Sequence, residues 1–270
     1  MSTLFYHFPE LSKPDFGFVR GPGPGLGNLM FPIARALAAQ NEMGGIFVFP
    51  TMRQIKVGTI LRREKDKRTY GELFRPRSMR ETKDWIRARC LSKCPAAVAN
   101  ARVFCYRGLA RQFYDIEGSR DVVRQFLEAT SRFPVLEPEI DLAIHVRLGD
   151  FAAPSATATL QSTQVPLSWY RDALHKARDI IGIRSIRSVL FTDEDPSTVI
   201  SKLRVYDLKP EPQGNALTSL LLMSRAKVLI GSRSTFSLWG QYLGDSTAIW
   251  PRGFELERYK RPDPKKDIFL

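Results

Sequence analysis

Residues 215–250, NALTSLLLMSRAKVLIGSRSTFSLWGQYLGDSTAIW, decide the fold. Asn215 to Arg225 is a strongly apolar run of helical length, and Lys227 to Ile230 is a short apolar strand. Gly231 to Arg233 breaks the pattern, Ser234 to Leu243 resumes as a helix, and Thr247 to Trp250 is strand-like again. Strands and helices that alternate with connections this short build parallel strands with right-handed crossovers. The same alternation continues toward the N-terminus. Val205 to Leu208 is short and strand-like. Asp193-Glu-Asp-Pro196 suits a turn into a helix, and Ser188 to Phe191 reads as the strand before it. Pro166 sits where a helix begins, with Leu167, Tyr170, Leu174, Ala177 and Ile181 recurring at three-to-four spacing behind it. Asp141 to Val146 opens the series as a strand. The pattern predicts a doubly wound sheet, with the Pro-, Lys- and Arg-rich tail from Pro251 wrapping back over its surface.

The N-terminal half opens in a similar way. Phe16 to Arg20 reads as a short buried strand, Gly21-Pro-Gly-Pro-Gly-Leu-Gly27-Asn28 as a glycine-rich loop, Phe31 to Gln40 as a helix, and Ile46 to Phe49 as a second strand closed by Pro50. The region from there to Pro134 is basic and broken, with Trp85 to Arg89 helical. Pro134 and Pro138, within Arg132 to Glu139, mark a linker. The sequence therefore predicts two α/β domains, residues 1–134 and 135–270.

Composition narrows the function. With 43% hydrophobic and 26% charged residues in 270, the chain is a folded one rather than a disordered or fibrous one. Three histidines, and cysteines at 90, 94 and 105 without Cys-x-x-Cys spacing, argue against a His- or Cys-rich metal site. The first 20 residues lack the apolar core of a signal peptide, and no run of 18 apolar residues occurs, so a soluble, cytoplasmic protein is expected. Lys and Arg number 41 against 28 Asp and Glu, a net charge of +13. Met52 to Lys93 alone holds 14 basic and 5 acidic residues. Such a field attracts polyanions: nucleic acid, the headgroups of an inner membrane surface, acidic glycans or lipid-linked phosphates. The acids interspersed in Arg62-Arg63-Glu64-Lys65-Asp66-Lys67-Arg68 equally suit a solvated face. Nucleic-acid binders interleave aromatic residues with their cations. Tyr70, Phe74 and Trp85 are too sparse for that, which disfavours nucleic acid as the partner.

Three clusters could carry chemistry. The glycine loop lets backbone amides approach a ligand closely, but it fails the dinucleotide fingerprint: the third glycine would fall on Leu26, Asn28 or Met30. No Walker lysine follows either. The second cluster is His145-Val-Arg-Leu-Gly-Asp150, at the carboxyl end of a strand, where doubly wound sheets hold ligands. Alternation puts His145 and Arg147 on one side of the strand, both able to aim donors into one pocket. Arg147 supplies a permanent positive fork suited to a diphosphate. Asp150 could orient Arg147, cap the turn or take a proton. The third cluster is Gly231-Ser-Arg-Ser-Thr-Phe236. Ser234 and Thr235 could simply cap the following helix, or, with Arg233 beside them, form an anion site at its N-terminus.

Three segments in this order resemble the α-1,2-fucosyltransferases and their α-1,6 and protein O-fucosyltransferase relatives. Gly25-Leu-Gly-Asn-Leu-Met-Phe31 is similar to the family's Gly-Leu-Gly-Asn-x-x-Phe. His145-Val-Arg-Leu-Gly-Asp150 is similar to its His-x-Arg-Arg-x-Asp. Leu220 to Ala226 through Ser234-Thr-Phe-Ser-Leu-Trp-Gly240 is similar to its closing motif. The resemblance implies a GT-B-like fold of two facing Rossmann-like domains with a cleft between them. It also implies an inverting glycosyltransferase that needs no metal or other cofactor and transfers fucose from GDP-fucose to a glycan hydroxyl. The N-terminal domain would serve the acceptor and the C-terminal domain the donor. Arg147 would grip the β-phosphate and His145 would lie near the nucleotide or sugar. Ser234, Thr235 and Phe236 would contact phosphate, ribose or base, and Gly27 and Asn28 would border the sugar. Asp150 and Asp193 are the candidates for the base. Two positions depart from the family: its second arginine is Leu148 here, and the acid usual seven residues before Ala226 is Ser219. These departures keep a third reading in play, a transferase-like scaffold that binds a nucleotide without turnover.

Overall fold

The computed structural model describes residues 3–56, 61, 69–93, 100–135, 140–148, 164–182, 186–205, 207–212 and 214–270. The chain divides into two compact units, Met1–Phe133 and Pro134–Leu270. Each is a Rossmann-like α/β unit built on a parallel sheet.

The N-terminal unit runs β1 (Leu4–Pro9), α1 (Leu26–Met43), β2 (Ile46–Phe47), α2 (Met79–Lys93), β3 (Ala101–Tyr106) and α3 (Arg120–Thr130). Its three strands are parallel in the order β2-β1-β3. The central strand is therefore LFYHFP, not Phe16 to Arg20. Phe16 and Phe18 are 62% and 76% exposed, while Arg20 is buried and joins Asp15 and Gln54 only through single bridges. His7 and Glu10 disguise the true strand, because a titratable residue at a core position reads as solvated. Here both are satisfied. The His7 ring bonds the Tyr106 hydroxyl at 2.9 Å and donates to the Gly44 carbonyl at 2.9 Å. Buried Glu10 is paired with Lys13, Arg89 and Arg107. A polar group survives burial when its partners are fixed in this way.

The C-terminal unit runs β4 (Ile140–Val146), α4 (Leu167–Ile181), β5 (Ser188–Thr192), α5 (Pro196–Leu203), β6 (Leu208–Pro210), α6 (Ala216–Met223), β7 (Ala226–Ile230), α7 (Thr235–Gly244), β8 (Thr247–Trp250) and β9 (Asp267–Phe269). All six strands are parallel, in the order β6-β5-β4-β7-β8-β9. Counted from β4 this is 3-2-1-4-5-6, the order of a doubly wound nucleotide-binding sheet, and it reverses direction between β4 and β7. Leu142, Ile144, Val228 and Ile230 are buried with Tyr170, Leu174 and Val199 of α4 and α5 on one face, while Ala143 and Leu229, which alternate with them, are buried on the other, as a parallel sheet covered on both sides requires. The periodic face expected of α4 is the one it buries, through Tyr170, Ala173, Leu174 and Ala177. Each later helix opens on a side-chain cap: Asp195 to the Thr198 amide, Asn215 to the Thr218 amide, and Ser234 to those of Phe236 and Ser237. Such caps contribute about 1 kcal/mol apiece.

Two expectations shift here. The strand placed at Val205–Leu208 begins at Leu208 instead, with Val205 packed against the core from the preceding turn. The tail does more than cover the surface, because it re-enters the sheet as β9, with Ala248 opposite Asp267 and Trp250 opposite Phe269. Among the described residues no helix is long and apolar enough to cross a membrane.

Candidate functional site

In a sheet of this order the ligand crevice lies at the carboxyl ends of the two strands that flank the reversal. In this unit they are β4 and β7. β4 delivers His145 and Arg147, and β7 runs into Gly231-Ser-Arg-Ser-Thr-Phe236 and the start of α7. The second and third sequence clusters are thus brought together by topology, and side chains join them directly. His145 Nδ1 lies 2.6 Å from the Ser237 hydroxyl and 3.0 Å from that of Ser232, and its ring packs against Phe236 at 5.3 Å between centroids. Ser232 also donates its amide to the Ser237 hydroxyl at 3.1 Å. Ser232 and Ser237 escape sequence reading because serines flanking a capped helix start look like ordinary capping residues.

His145 is only 4% exposed. Burial, aided by the positive charge of Arg147, lowers its pKa to about 4, with Asp193 pulling the other way. At neutral pH the ring is therefore uncharged and braces β4 against the α7 turn. An unfolded imidazole titrates near 6.5, so between pH 6.5 and 4 the unfolded chain binds more protons than the folded one, and stability falls as pH drops through that window. The loss amounts to about 3 kcal/mol by pH 4. Denaturant melts of the wild type and His145→Gln from pH 7.5 to 4 check it: the variant should lose less stability across the window, and parallel curves would refute the assignment.

Arg147 turns toward β5. Val146 is in register with Thr192 on that strand, which brings the next residue, Asp193, alongside. The Asp193 carboxylate takes Arg147 Nε at 3.2 Å and the Leu148 amide at 2.9 Å. The Arg147 and Asp193 side chains are about a quarter exposed, at 25% and 23%. Asp193 thereby holds the Arg147 side chain and the Leu148 amide from β5. Asp150, the other candidate for the base, lies outside the described residues. Leu148 is half-buried, with its side chain packed against the hydrophobic core and its carbonyl accepting from Gln164 at 2.8 Å. The Ser219 hydroxyl donates to the Asn215 carbonyl at 2.8 Å within α6.

Beneath the same point, the Tyr170 hydroxyl of α4 is buried without a hydrogen bond of good geometry among the described residues. Burial pushes its pKa up, while the neighbouring Arg147 backbone and Arg233 guanidinium oppose that shift. Burial likewise lowers the pKa of Arg233, whose Nη2 donates to the Arg252 carbonyl at 3.2 Å. Ser234 is the α7 cap and Thr235 its first residue. The N-terminal end of the α7 dipole, with Arg233 and Arg147 on the neighbouring segments, concentrates positive potential at the reversal point.

Gly25, Gly27 and Asn28 belong to the N-terminal unit. α1 begins at Leu26, earlier than expected, so Gly27 and Asn28 form its first turn and Gly25 its cap. The Leu26 amide donates to the Tyr70 hydroxyl at 3.0 Å. The earlier glycines have a packing reason: a Cβ at Gly21 would lie 2.6 Å from the Lys13 carbonyl oxygen, and one at Gly23 would lie 2.8 Å from Arg20 Nη1. Arg20 itself donates to the Thr51 carbonyl and the Ser12 hydroxyl, both at 2.8 Å. It holds this loop, a role its sequence context did not reveal.

No family model and no curated protein matches the chain. Among solved structures it is similar to the NodZ α-1,6-fucosyltransferase soaked with GDP-fucose, with 13% identity over 90% of this chain and 93% of that one, and a TM-score of 0.48. It is also similar to the Escherichia coli heptosyltransferase WaaC with ADP-2-deoxy-2-fluoro heptose, with 12% identity over 100% and 93% and a TM-score of 0.44. Apo POFUT1 follows with 14% identity over 99% and 74% and a TM-score of 0.32. Similarity at this level concerns the path of the backbone.

Proposed function

We propose that the chain is a glycosyltransferase that binds a nucleoside-diphosphate sugar at the C-terminal unit, with GDP-fucose as donor and a glycan hydroxyl as acceptor. The observation that carries this reading is the placement of Arg147, oriented by Asp193 from β5, at the end of β4 in a 3-2-1-4-5-6 sheet, with the N-terminus of α7 at the end of the neighbouring β7 across the reversal point. A fixed guanidinium and a helix N-terminus suit a diphosphate. In the proposed reaction the acceptor oxygen bonds to the anomeric carbon from the side opposite the leaving group, giving inversion. The bond from that carbon to the β-phosphate oxygen breaks, GDP leaves with the electron pair, and the acceptor proton passes to a base. Arg147 stabilises the charge that develops on the departing phosphate, the role a divalent cation plays in other transferases, so activity should persist in EDTA. His145, being neutral, adds no charge of its own and sets the geometry of the β4 end against the Ser234–Phe236 turn. The α-1,2 linkage and the acceptor role of the N-terminal unit, with Gly25, Gly27 and Asn28 bordering the sugar, belong to the same proposal.

A thermal-shift panel of GDP, UDP, CMP and their sugars tests it. Ligands that bind only the folded state raise the melting temperature, so GDP and GDP-fucose should shift it by several degrees and the others should not, with or without EDTA. Fucose transfer or GDP-fucose hydrolysis should accompany the shift. A GDP shift with no turnover on any acceptor would favour the non-catalytic scaffold, and no nucleotide shift at all would remove the reading.

A further inference from the structure

We infer that the N-terminal unit carries a pocket for an acidic sugar, with the ring lying against aromatic side chains and its carboxylate or phosphate held by arginines. That this sugar is the acceptor rests on the transferase reading above; its binding does not.

The pocket is a cavity of about 750 Å³, within the range that holds small organic ligands. Two kinds of side chain dominate its wall. Phe16 and Phe18 stand at its edge, 62% and 76% exposed. Two large rings left in water within three residues are costly unless something covers them, and a flat apolar face is what the C–H side of a pyranose ring packs against. Arg53, Arg75, Arg77 and Arg132 supply four guanidinium groups, against which Glu72 is the acidic residue of the lining. Two of the four are fixed in place. Arg75 lies over the Phe49 ring at 5.1 Å and is gripped at both terminal nitrogens by Glu81, at 2.9 and 2.6 Å. Arg77 lies over the Trp85 ring at 5.2 Å and donates to the Thr51 hydroxyl at 2.6 Å. Stacking on an aromatic face orients a guanidinium and keeps its edge available for a planar anion. Arg53 and Arg132 are exposed and form no ion pair among the described residues. With Glu81 neutralising Arg75 and Glu72 offsetting one further charge, Arg53, Arg77 and Arg132 still leave the lining positive, and their charge-assisted hydrogen bonds suit a carboxylate or phosphate. The basic surplus of Met52 to Lys93 thus has a local focus. Its size and ring-lined edge fit a monosaccharide.

Calorimetric titration of the full chain with glucuronate, glucose 1-phosphate, glucose and inorganic phosphate tests this directly. The acidic sugars should bind, and whichever binds more tightly names the acid. Glucose and phosphate alone should each bind about tenfold more weakly or worse, since each lacks one half of the recognition. Arg53→Gln combined with Arg132→Gln should weaken acidic-sugar binding about tenfold or more, and Phe18→Ala should weaken it separately. All three positions are exposed, so the melting temperatures should stay near that of the wild type. GDP should bind these variants as it binds the wild type. The inference is overturned if glucose matches the acidic sugars, if phosphate alone matches glucose 1-phosphate, if binding survives both sets of substitutions, or if a single-stranded oligonucleotide competes for the site. GDP binding without acidic-sugar binding would sink the pocket and spare the transferase reading. Acidic-sugar binding without GDP binding would do the reverse.

Discussion

Replacing Arg147 with alanine is expected to lower transfer about a thousandfold, the scale found when a donor to a developing anion is removed. The fold should hardly notice. The ion pair with Asp193 keeps about a quarter of each side chain in water, so its loss should cost about 1–2 kcal/mol, between an exposed and a buried pair. A melting temperature within a few degrees of the wild type, with turnover nearly gone, separates a chemical role from a structural one. Arg147→Lys sharpens the test: it restores the charge but not the fork, so activity should recover only in part. Asp193→Asn should fall between the two, because the amide can still accept from the Leu148 amide while the charge that orients Arg147 is gone. Turnover of Arg147→Ala within a few-fold of the wild type would mean that the guanidinium at the end of β4 is not the phosphate anchor.

The second large effect is on stability. Asp267→Ala is expected to destabilise the protein by about 3–5 kcal/mol, the range found when one member of a buried charged pair is removed. The Asp267 carboxylate is fully buried and accepts four donors: Lys260 Nζ at 2.6 Å, Gln241 Nε2 at 2.7 Å, Trp250 Nε1 at 3.0 Å and the Asp263 amide at 2.7 Å. Alanine would leave all four unmatched, including a lysine only 16% exposed. Asp267→Asn keeps the volume and one acceptor oxygen and should lose about half as much. The consequence reaches the site through Trp250. A Cβ placed on Gly231 would lie 2.1 Å from the Trp250 ring, so the turn carrying Ser232 to Phe236 rests on that indole, which Asp267 holds by its N–H. Urea melts of the two variants give the answer. A loss under about 1 kcal/mol for the alanine variant would show that the tail is not pinned through this carboxylate.

The C-terminal sheet was legible in sequence because each of its signals is local. Capping residues at 195, 215 and 234 stand before apolar runs, Pro166 and Gly182 bracket α4, and buried parallel strands read as short apolar blocks. β9 was not legible. It is three residues long, follows a Pro- and Lys-rich segment, and owes its place to Asp267, whose burial no local pattern announces. β1 was missed for the same reason: His7 and Glu10 are core residues only because Tyr106, Gly44, Arg89 and Arg107 reach them from distant parts of the chain. At the site, residue types pointed to Arg147 and to the Ser234 turn. The His145 contacts with Ser232 and Ser237, across 87 and 92 residues, needed the strand order to become visible. Nor did alternation foresee that His145 turns to the β7 side while Arg147 turns to Asp193.

A crystal structure of the protein with GDP decides where the phosphates bind. The diphosphate should lie at the carboxyl ends of β4 and β7, with β-phosphate oxygens about 3 Å from the Arg147 guanidinium and beside the N-terminus of α7. GDP bound elsewhere, or bound there with Arg147 turned away from the phosphates, would contradict that geometry.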